Sequence, residues 1–453
     1  MRIENDLGKD NIHKIVWRIA IPSMLAQFVS VLYSIVDRMY IGHIAEVGNL
    51  ALGGVGVCGP IVTMAGSFAF LVGIGGSPLM SMRLGEGNKK EAERIVANCF
   101  MLLCAISVVL TFVLLLIKDP MLRTFGASDA IFPYADAYFT VYICGTIFAL
   151  LATGMNQFII SQGFAKIGMI SVVIGAIANI ILDPVFIFGL NMGVEGAALA
   201  TVLSQVASCA FVLRFLFGEF TPVRITFRGY SLRIVGRVLL LGFTPFIIIA
   251  VDNLMMIALN TVLQNYGGPE NGDILITCGT IAQSFMLVVT MPLGGISSGT
   301  QTILAFNYGA GQIDRVLQAQ RTILKLCVGF TTLMFIVARF ASPLFVHLFT
   351  TDPVIAEKAV WSIHVFTLAI IPLGIQYEIV DGFTALGHVE LALPLSFFRK
   401  LVYFVVLFII PLFMPVENVF YAEAISDIIP PLVSVLVYLL TIKKILNRRR
   451  VTA

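Results

Sequence analysis

The sequence predicts an all-α integral membrane protein whose twelve transmembrane helices form two pseudo-symmetric six-helix bundles. Three observations support this fold class: the chain is 58% hydrophobic and only 12% charged, apolar stretches of about 20 residues recur along its length, and its two halves align at a constant offset. A soluble globular protein has about 25% charged residues. The 453 residues therefore lack the charged surface that a soluble protein of this length needs.

Twelve apolar stretches are long enough to cross a bilayer, which takes about 20 residues per helix. Several are longer, so tilted helices or helices that extend beyond the bilayer are expected. The predicted spans are 15–41, 50–80, 94–117, 131–153, 166–189, 193–217, 235–264, 274–304, 317–339, 356–382, 391–413 and 418–441.

Charge and cysteine content exclude several other classes of protein. The net charge of +3 is small and resides in the predicted loops, so a nucleic-acid partner is not expected. The seven cysteines all lie inside apolar stretches without a CxxC motif, which predicts buried free thiols and no disulfide frame or metal site. The bilayer and small molecules remain as the expected partners.

The distribution of Lys and Arg predicts the orientation of the chain. These residues concentrate at the N-terminal start, in the second loop, in the middle connection 218–234, in the eighth loop and in the C-terminal tail. Such loops usually face the cytoplasm, so a multi-pass plasma-membrane protein with both termini in the cytoplasm is expected. The first apolar stretch follows a charged start and is too long for the apolar core of a signal peptide.

The two halves of the sequence align as repeats. We expect domains at residues 1–222 and 223–453, here called the first half and the second half. Because each repeat holds six spans, both cross the membrane in the same direction, and proteins of this type commonly bind substrate between the bundles. The aligned pairs are Gly85 with Gly309 and Gly163 with Gly387 at an offset of 224, and Pro22 with Pro245 and Asp37 with Asn260 at 223.

Polar residues inside the first-half spans are candidates for function. Asp183 lies in an otherwise apolar run, where an Asp at the bilayer centre costs roughly 2.5–3.5 kcal/mol. Asn179 lies four residues earlier, on the same helix face, and Pro184 weakens the local backbone hydrogen bonding. Asp37 ends span one, and Thr201 offers a hydroxyl from span six.

Each of these candidates also has a plain structural interpretation. Asp37 lies near a helix end and would pair with the adjacent Arg38. Asp183 would have a purely structural role, and Thr201 would bond its own helix backbone.

The second half carries a different polar set. Glu378 and Asp381 are three residues apart in span ten and share a helix face. Arg399 and Lys400 are expected to pair with acids of this half if the acids are structural. The candidates for a second polar site or a substrate cavity are Asp252, Asn253, Glu378, Asp381, its repeat partner Gln157 (381 − 157 = 224), Met286 and Met291.

Three segments resemble the multidrug and toxic compound extrusion (MATE) transporters. They are MPLGGISSGTQTILAFNYGAG (291–311), GVEGAALATVLSQ (193–205) and VDRMYIG (36–42). Each is weak alone, but together they are specific, and the resemblance covers nearly the whole chain. The branch looks bacterial and nearer to the DinF-like and MepA-like transporters than to the NorM-like ones.

The resemblance implies a cation or proton site in the first bundle. DinF-like members use an Asp fifteen residues after a proline, an Asn and an Asp four apart, and a Thr. The matching residues here are Asp37 after the hinge candidate Pro22 (37 − 22 = 15), Asn179 with Asp183, and Thr201. The NorM-like pattern of a Glu eight residues after a proline is not matched, because Asp252 lies seven after Pro245 (252 − 245 = 7).

The sequence thus predicts a cation-coupled multidrug efflux antiporter that exports amphiphilic, cationic compounds by alternating access. The coupling ion is H⁺ or Na⁺, with Na⁺ at Asp37 and Asp183 as the only metal, no cofactor, and a monomer as the expected state. A lipid-linked oligosaccharide flippase of the same superfamily is the alternative. An intramembrane enzyme lacks support, because the sequence contains no HExxH, Walker A or GxSxG motif. A channel is a further alternative.

Overall fold

The structure is a computed structural model that describes residues 6–44, 47–125, 127, 129–219, 221–350 and 352–452. The first five residues of the predicted first half therefore lie outside the described part.

A π-helical turn, Val185–Gly189, follows α6, and a 3₁₀ turn, Val416–Phe420, precedes α13. The α-helices are α1 Ile12–Gly42, α2 Gly48–Gly85, α3 Lys89–Thr124, α4 Phe132–Cys144, α5 Thr146–Ile160, α6 Ala165–Pro184, α7 Gly193–Phe217, α8 Leu232–Gly309, α9 Ile313–His347, α10 Pro353–Phe366, α11 Ile370–Ala385, α12 Val389–Phe413, α13 Tyr421–Ser426 and α14 Ile429–Thr452.

The all-helical membrane fold is confirmed. Ten helices in the described residues are long and apolar enough to cross a bilayer, and the number rises to twelve when two bent pairs each count as one span. The bends are 55° between α4 and α5 and 46° between α10 and α11. The break is Gly145 in the first pair and residues 367–369 in the second, and Ala369 is the repeat partner of Gly145 because 369 − 145 = 224. Both halves therefore bend the same span at the same place.

Helix ends extend past the apolar stretches that predicted them. Helix α3 begins at Lys89 and not at 94, because the side chain of Asn88 accepts a hydrogen bond from the backbone N–H of Glu91 at 3.1 Å and caps the helix. Helix α8 contains two predicted spans, Leu232–Gly268 and Ile274–Gly309, here called its first arm and second arm. The chain turns between them at Gly268, whose positive φ of 74° suits glycine.

Most cysteines are buried free thiols, as predicted. The prediction is wrong for two of the seven: Cys104 is half-buried and Cys144 is exposed at the end of α4. Cys144 directly precedes the bend at Gly145. An apolar sequence context predicted burial for every cysteine, but it cannot distinguish a core-facing side chain from one on the outer face of a membrane helix.

The start of α1 packs in the core of the second half. Leu7, Ile12 and Ile19 are buried in a cluster whose other members come mainly from α8, α9, α11, α12 and α14. Two side chains of the second half also hold the backbone there, and one of them, Asn307, donates from its amide nitrogen to the carbonyl of Leu7 at 3.1 Å. Arg315 Nη2 donates to the carbonyls of Leu7 at 3.1 Å and Asp10 at 2.9 Å. The first helix therefore belongs to the first half by sequence but packs at its start against the second half.

The two halves meet through closely packed backbone at the end of the helices where basic residues concentrate, here called the basic face. A Cβ atom at Gly85 would lie 2.1 Å from the carbonyl oxygen of Phe306, and one at Gly309 would lie 2.1 Å from that of Met82. The contact is pseudo-symmetric, because 309 − 85 and 306 − 82 both equal 224. Small residues permit such close helix crossings in membranes.

We expect Gly85→Ala to lower the thermal stability of the purified protein. The added methyl overlaps a backbone carbonyl of the other half, and overpacking of this kind costs about 1–3 kcal/mol or more. Gly56→Ala on the same helix is the matched control, because a Cβ there meets nothing within 4 Å. Equal melting temperatures for the two variants, measured by thiol-reactive dye unfolding, would contradict the role of this contact.

Candidate functional site

Helix α6 positions two of the candidate polar side chains in the first half. Asn179 and Asp183 lie one turn apart on its buried face, with exposed fractions of 1% and 0%. The α-helix ends at Pro184, which lacks a backbone N–H, and the chain continues as a π-helical turn closed by Leu190 N–H donating to the Val185 carbonyl at 2.9 Å. Single π-helical turns are frequent at functional sites.

Asn179 connects α6 to α7. Its side-chain amide donates to Asp183 Oδ1 at 3.1 Å and also lies 3.4 Å from the hydroxyl of Thr201 on α7. The Thr201 hydroxyl in turn donates to the carbonyl of Ala197 at 3.0 Å. The threonine therefore bonds its own helix, as the structural interpretation expects, and still presents its oxygen to Asn179.

Asp37 of α1 completes this cluster, because its carboxyl group lies beside that of Asp183. Neither acid forms an ion pair with a basic side chain in the described residues, and Arg38 is exposed. Asp37 Oδ1, Asp183 Oδ2 and Asn179 Oδ1 are buried and have no hydrogen-bond partner in the described part of the chain. Two ionised carboxylates offer no proton to one another, so the contact needs a shared proton or a bound cation to become favourable.

Three tyrosines surround the acids, and the sequence analysis missed them. Tyr33 lies one turn before Asp37 on α1, and Tyr138 and Tyr142 of α4 stack with ring centroids 6.0 Å apart. All three interact electrostatically with Asp37. Gln205 of α7 donates to the Tyr142 hydroxyl at 3.4 Å. The four-residue spacings 33–37 and 138–142 were visible in the sequence, but only the fold brings α1 and α4 together.

The span-ten acids have no basic partner in the described residues. Glu378 is 3% exposed, and its Oε1 atom finds no hydrogen-bond partner there. Asp381 lies beside the side chains of Ser297 and Gln301 on the second arm of α8. Its repeat partner Gln157 packs against Gly73, the repeat partner of Ser297 (297 − 73 = 224). The two side chains thus occupy equivalent places in the two halves.

The two basic residues of α12 do not pair with Glu378 or Asp381. Lys400 pairs with Asp252 of α8, one of the second-half acids with which the structural interpretation expects a pair. Arg399 lies 3.5 Å from Glu423 Oε1 and 3.3 Å from Asp427 Oδ1, two acids that the sequence analysis did not single out. Pairing of Arg399 or Lys400 with Glu378 or Asp381 is therefore not observed, because α13 and the break after it bring nearer acids.

The remaining candidates lie apart from the acid cluster of the first half. Asn253 donates to the Ile249 carbonyl of its own helix at 2.9 Å. Met286 is buried and packs in a core cluster of the second half. Met291 is half-buried, and the hinge candidate Pro22 is buried inside α1.

The acid cluster of the first half is absent from the second half. At three of the four equivalent positions the second half carries side chains that are apolar or, for tyrosine, largely so, and the position of Asp37 carries Asn260. Two of the three, Tyr403 and Leu407, are buried in a core cluster. The repeat therefore folds without the counterparts of Asn179, Asp183 and Thr201, which makes a purely structural role for these three less favourable. The pairs are Asn179 with Tyr403, Asp183 with Leu407 and Thr201 with Ile425, all at an offset of 224.

Two helical repeats that cross the membrane in the same direction, with unpaired buried carboxyl groups inside the spans, are typical of a membrane transporter. The MatE family model matches two segments of the chain, residues 22–185 and 246–409, which are offset by 224 (246 − 22). Together they cover more than half of the sequence. The chain therefore belongs to the MATE family of transporters.

Curated relatives and solved structures extend this finding. The multidrug export protein MepA of Staphylococcus aureus is 24% identical over 439 residues, which cover 95% of each chain. An FAD transporter of Shewanella oneidensis is 27% identical over 398 residues, covering 83% of this chain and 82% of that protein. The fold is similar to the outward-facing conformation of a multidrug resistance MATE family transporter, with a TM-score of 0.90, 23% identity and coverage of 96% and 97%.

We expect Asp37→Asn and Asp183→Asn to be non-additive in thermal stability. Either substitution alone removes the repulsion between the two carboxylates, so the second adds little, and contacting residues couple by about 0.5–3 kcal/mol. A double-mutant cycle on the detergent-purified protein measures this coupling. Asp37→Asn combined with Asp381→Asn, in the other half, is the control and should be additive within about 0.5 kcal/mol. Additivity of the first pair would contradict the proximity of the two carboxyl groups.

Proposed function

We propose that this transporter is a cation-coupled antiporter that exports amphiphilic, cationic compounds and binds its coupling ion, H⁺ or Na⁺, at Asp37 and Asp183. The observation that carries the proposal is the pair of neighbouring carboxyl groups without an ion-pairing base in the described residues. Bilayer-embedded acids of this kind mark ion pathways. Oxygen atoms of Asn179 and Thr201 would complete a Na⁺ site, since hard cations prefer oxygen ligands.

Helix α1 is suited to transmit ion binding to the other half. Its start packs in the core of the second half, and Arg315 donates hydrogen bonds to the carbonyls of Leu7 and Asp10, just before the helix. Its other end carries Asp37 next to α6. Pro22 lies between the two parts and interrupts the backbone hydrogen bonding. Neutralising the acid pair would let the Asp37 end of α1 bend at Pro22, while the N-terminal end of the helix stays fixed in the second half.

The ion gradient supplies the energy for export. One charge that moves across 100 mV releases about 2.3 kcal/mol, and a tenfold concentration ratio costs about 1.4 kcal/mol. In the conformation described, the halves are packed together at the basic face through Gly85 and Gly309. If that face lies in the cytoplasm, this conformation would release the exported compound on the outer side of the membrane. Separation of the two glycines would then let another molecule of the compound enter from the cytoplasm.

The side chains around the acids favour a cationic aromatic compound. Tyr33, Tyr138 and Tyr142 provide ring faces next to Asp37. Such faces attract organic cations by about 0.5–2 kcal/mol each. A drug cation and the coupling ion would then compete for the same negative charge, and this competition is the basis of exchange.

A pyrophosphate-containing substrate has less support. Both a lipid-linked oligosaccharide and the FAD named for one relative carry that group, and a site for it needs unpaired basic side chains. Arg399 and Lys400 on α12 already pair with Glu423, Asp427 and Asp252. The flippase alternative therefore lacks a specific observation in its favour.

We expect Asp37→Asn and Asp183→Asn to abolish efflux of ethidium from cells, because each variant keeps only one of the two carboxyl groups that would bind the coupling ion together. Efflux is followed by fluorescence at matched protein levels, with a proton uncoupler and with Na⁺ omitted. The condition that stops wild-type efflux identifies the coupling ion. Asp381→Asn, an acid in the other half, should retain efflux. Wild-type efflux in both single variants of the pair would refute the assignment of the site.

We expect Pro22→Ala to slow ethidium efflux while raising thermal stability. Alanine restores the missing helix hydrogen bond, and proline in a helix interior costs about 3 kcal/mol. A straighter, stiffer α1 should resist the bend. Pro120→Ala in α3, a proline inside a helix of the first half that carries neither acid, is the control and should leave efflux unchanged. Normal efflux in Pro22→Ala would exclude Pro22 as the hinge.

A further inference from the structure

The ion pair between Lys400 and Asp252 joins a buried base to an exposed acid. The side chain of Lys400 on α12 is 6% exposed, whereas that of Asp252 on the first arm of α8 is 49% exposed. The pair has no counterpart in the first half, where the equivalent positions carry Val29 (252 − 223 = 29) and Ala176 (400 − 176 = 224).

Asp252 lies on nearly the same face of α8 as two residues that contact the first half. Val238 and Gly242, on the same arm, contact Gly75 of the first half. Asp252 and Met256 each lie fourteen residues further (252 − 238 and 256 − 242), about four helical turns, so they lie on nearly the same face. An apolar stripe of exposed residues, suited to lipid, lies on the opposite side of the helix and contains Leu240, Phe243, Leu254 and Ile257.

Two further acids, Glu423 and Asp427, and the base Arg399 lie near Lys400. All three interact electrostatically with its ammonium group. With Asp252 this group contains three carboxyl groups and two basic groups, so one carboxyl group is unbalanced. Asp427 is fully buried, and neither of its carboxylate oxygens has a hydrogen-bond partner in the described residues. A lysine that leaves Asp252 therefore remains near negative charge.

We propose that Lys400 is a tethered cation that competes with the positive group of a transported compound for the Asp252 carboxylate, and so sets the selectivity for cations. The inference rests on the proposed function, since it concerns the compound exported. A cation that enters between the halves would bind the Asp252 carboxylate and displace the flexible lysine toward Glu423 and Asp427. Its binding free energy would be less favourable than at a carboxylate without a competing lysine. The lysine thereby weakens cation binding and helps release.

The test is ethidium binding to the full-length purified protein, measured by fluorescence anisotropy without an ion gradient. Lys400→Met frees Asp252 and should tighten the ethidium Kd by about three- to tenfold, with no change for an uncharged compound such as chloramphenicol. Asp252→Asn should weaken ethidium binding, and adding Lys400→Met to it should change nothing further. Lys118→Met, which breaks the Lys118–Asp136 pair of the first half, is the matched control and should leave the Kd unchanged.

The failure of this inference can be distinguished from failure of the proposed function. If the wild type binds ethidium and Lys400→Met leaves its Kd unchanged or weaker, the competition is refuted while cation export stands. If Lys400→Met does not fold, the Asp252→Asn variant tests the inference. An unchanged Kd for ethidium overturns it, and weaker binding of ethidium with unchanged binding of chloramphenicol supports it. If the wild type binds no ethidium, the cationic substrate class itself is wrong and the inference falls with it.

Discussion

The close crossing of two backbones at the basic face constrains the arrangement of the halves. Gly85 and Gly309 approach each other's helices so closely that neither position accommodates a Cβ atom. Hydrophobic burial does not drive helix association in a bilayer, because lipid tails are as apolar as leucine, so close packing of small residues must supply the attraction. The same contact holds the two halves together at this face.

The charged groups described inside the spans of each half align with uncharged residues of the other half, and the two halves differ in how those charges are balanced. In the first half, Asp37 and Asp183 face each other without an ion-pairing base in the described residues. In the second half, Arg399 and Lys400 pair with Glu423, Asp427 and Asp252, whereas Glu378 and Asp381 have no basic partner in the described residues. Burying a charge is costly unless it is paired. The described chain therefore balances part of the acidic charge of the second half and none of that of the Asp37–Asp183 pair.

Helix α1 connects these two environments. Its start belongs to the core of the second half, and its end contributes an acid to the first-half cluster. A helix held at one end by a packed core and free to respond at the other can transmit a local change in charge over its length. The proline between the two parts gives this helix a defined place to bend.

The sequence by itself determined the fold class, the twelve spans, the repeat offset of 224 and the acids of the first half. These follow from composition, from periodicity and from the high cost of a carboxylate in an apolar run, all of which are local properties. The resemblance of three motifs led to the same family that the comparisons establish.

Only the tertiary structure decided which residues meet. It placed Tyr138 and Tyr142 beside Asp37, paired Arg399 with Glu423 and Asp427 in preference to the span-ten acids, and buried Met286 in a core. It also seated the start of α1 in the second half. Such contacts join residues far apart in the chain, and they depend on helix rotation and on breaks such as the one after α13. Hydrophobic periodicity cannot determine these features, because a membrane helix is apolar on its lipid-facing and core-facing sides alike.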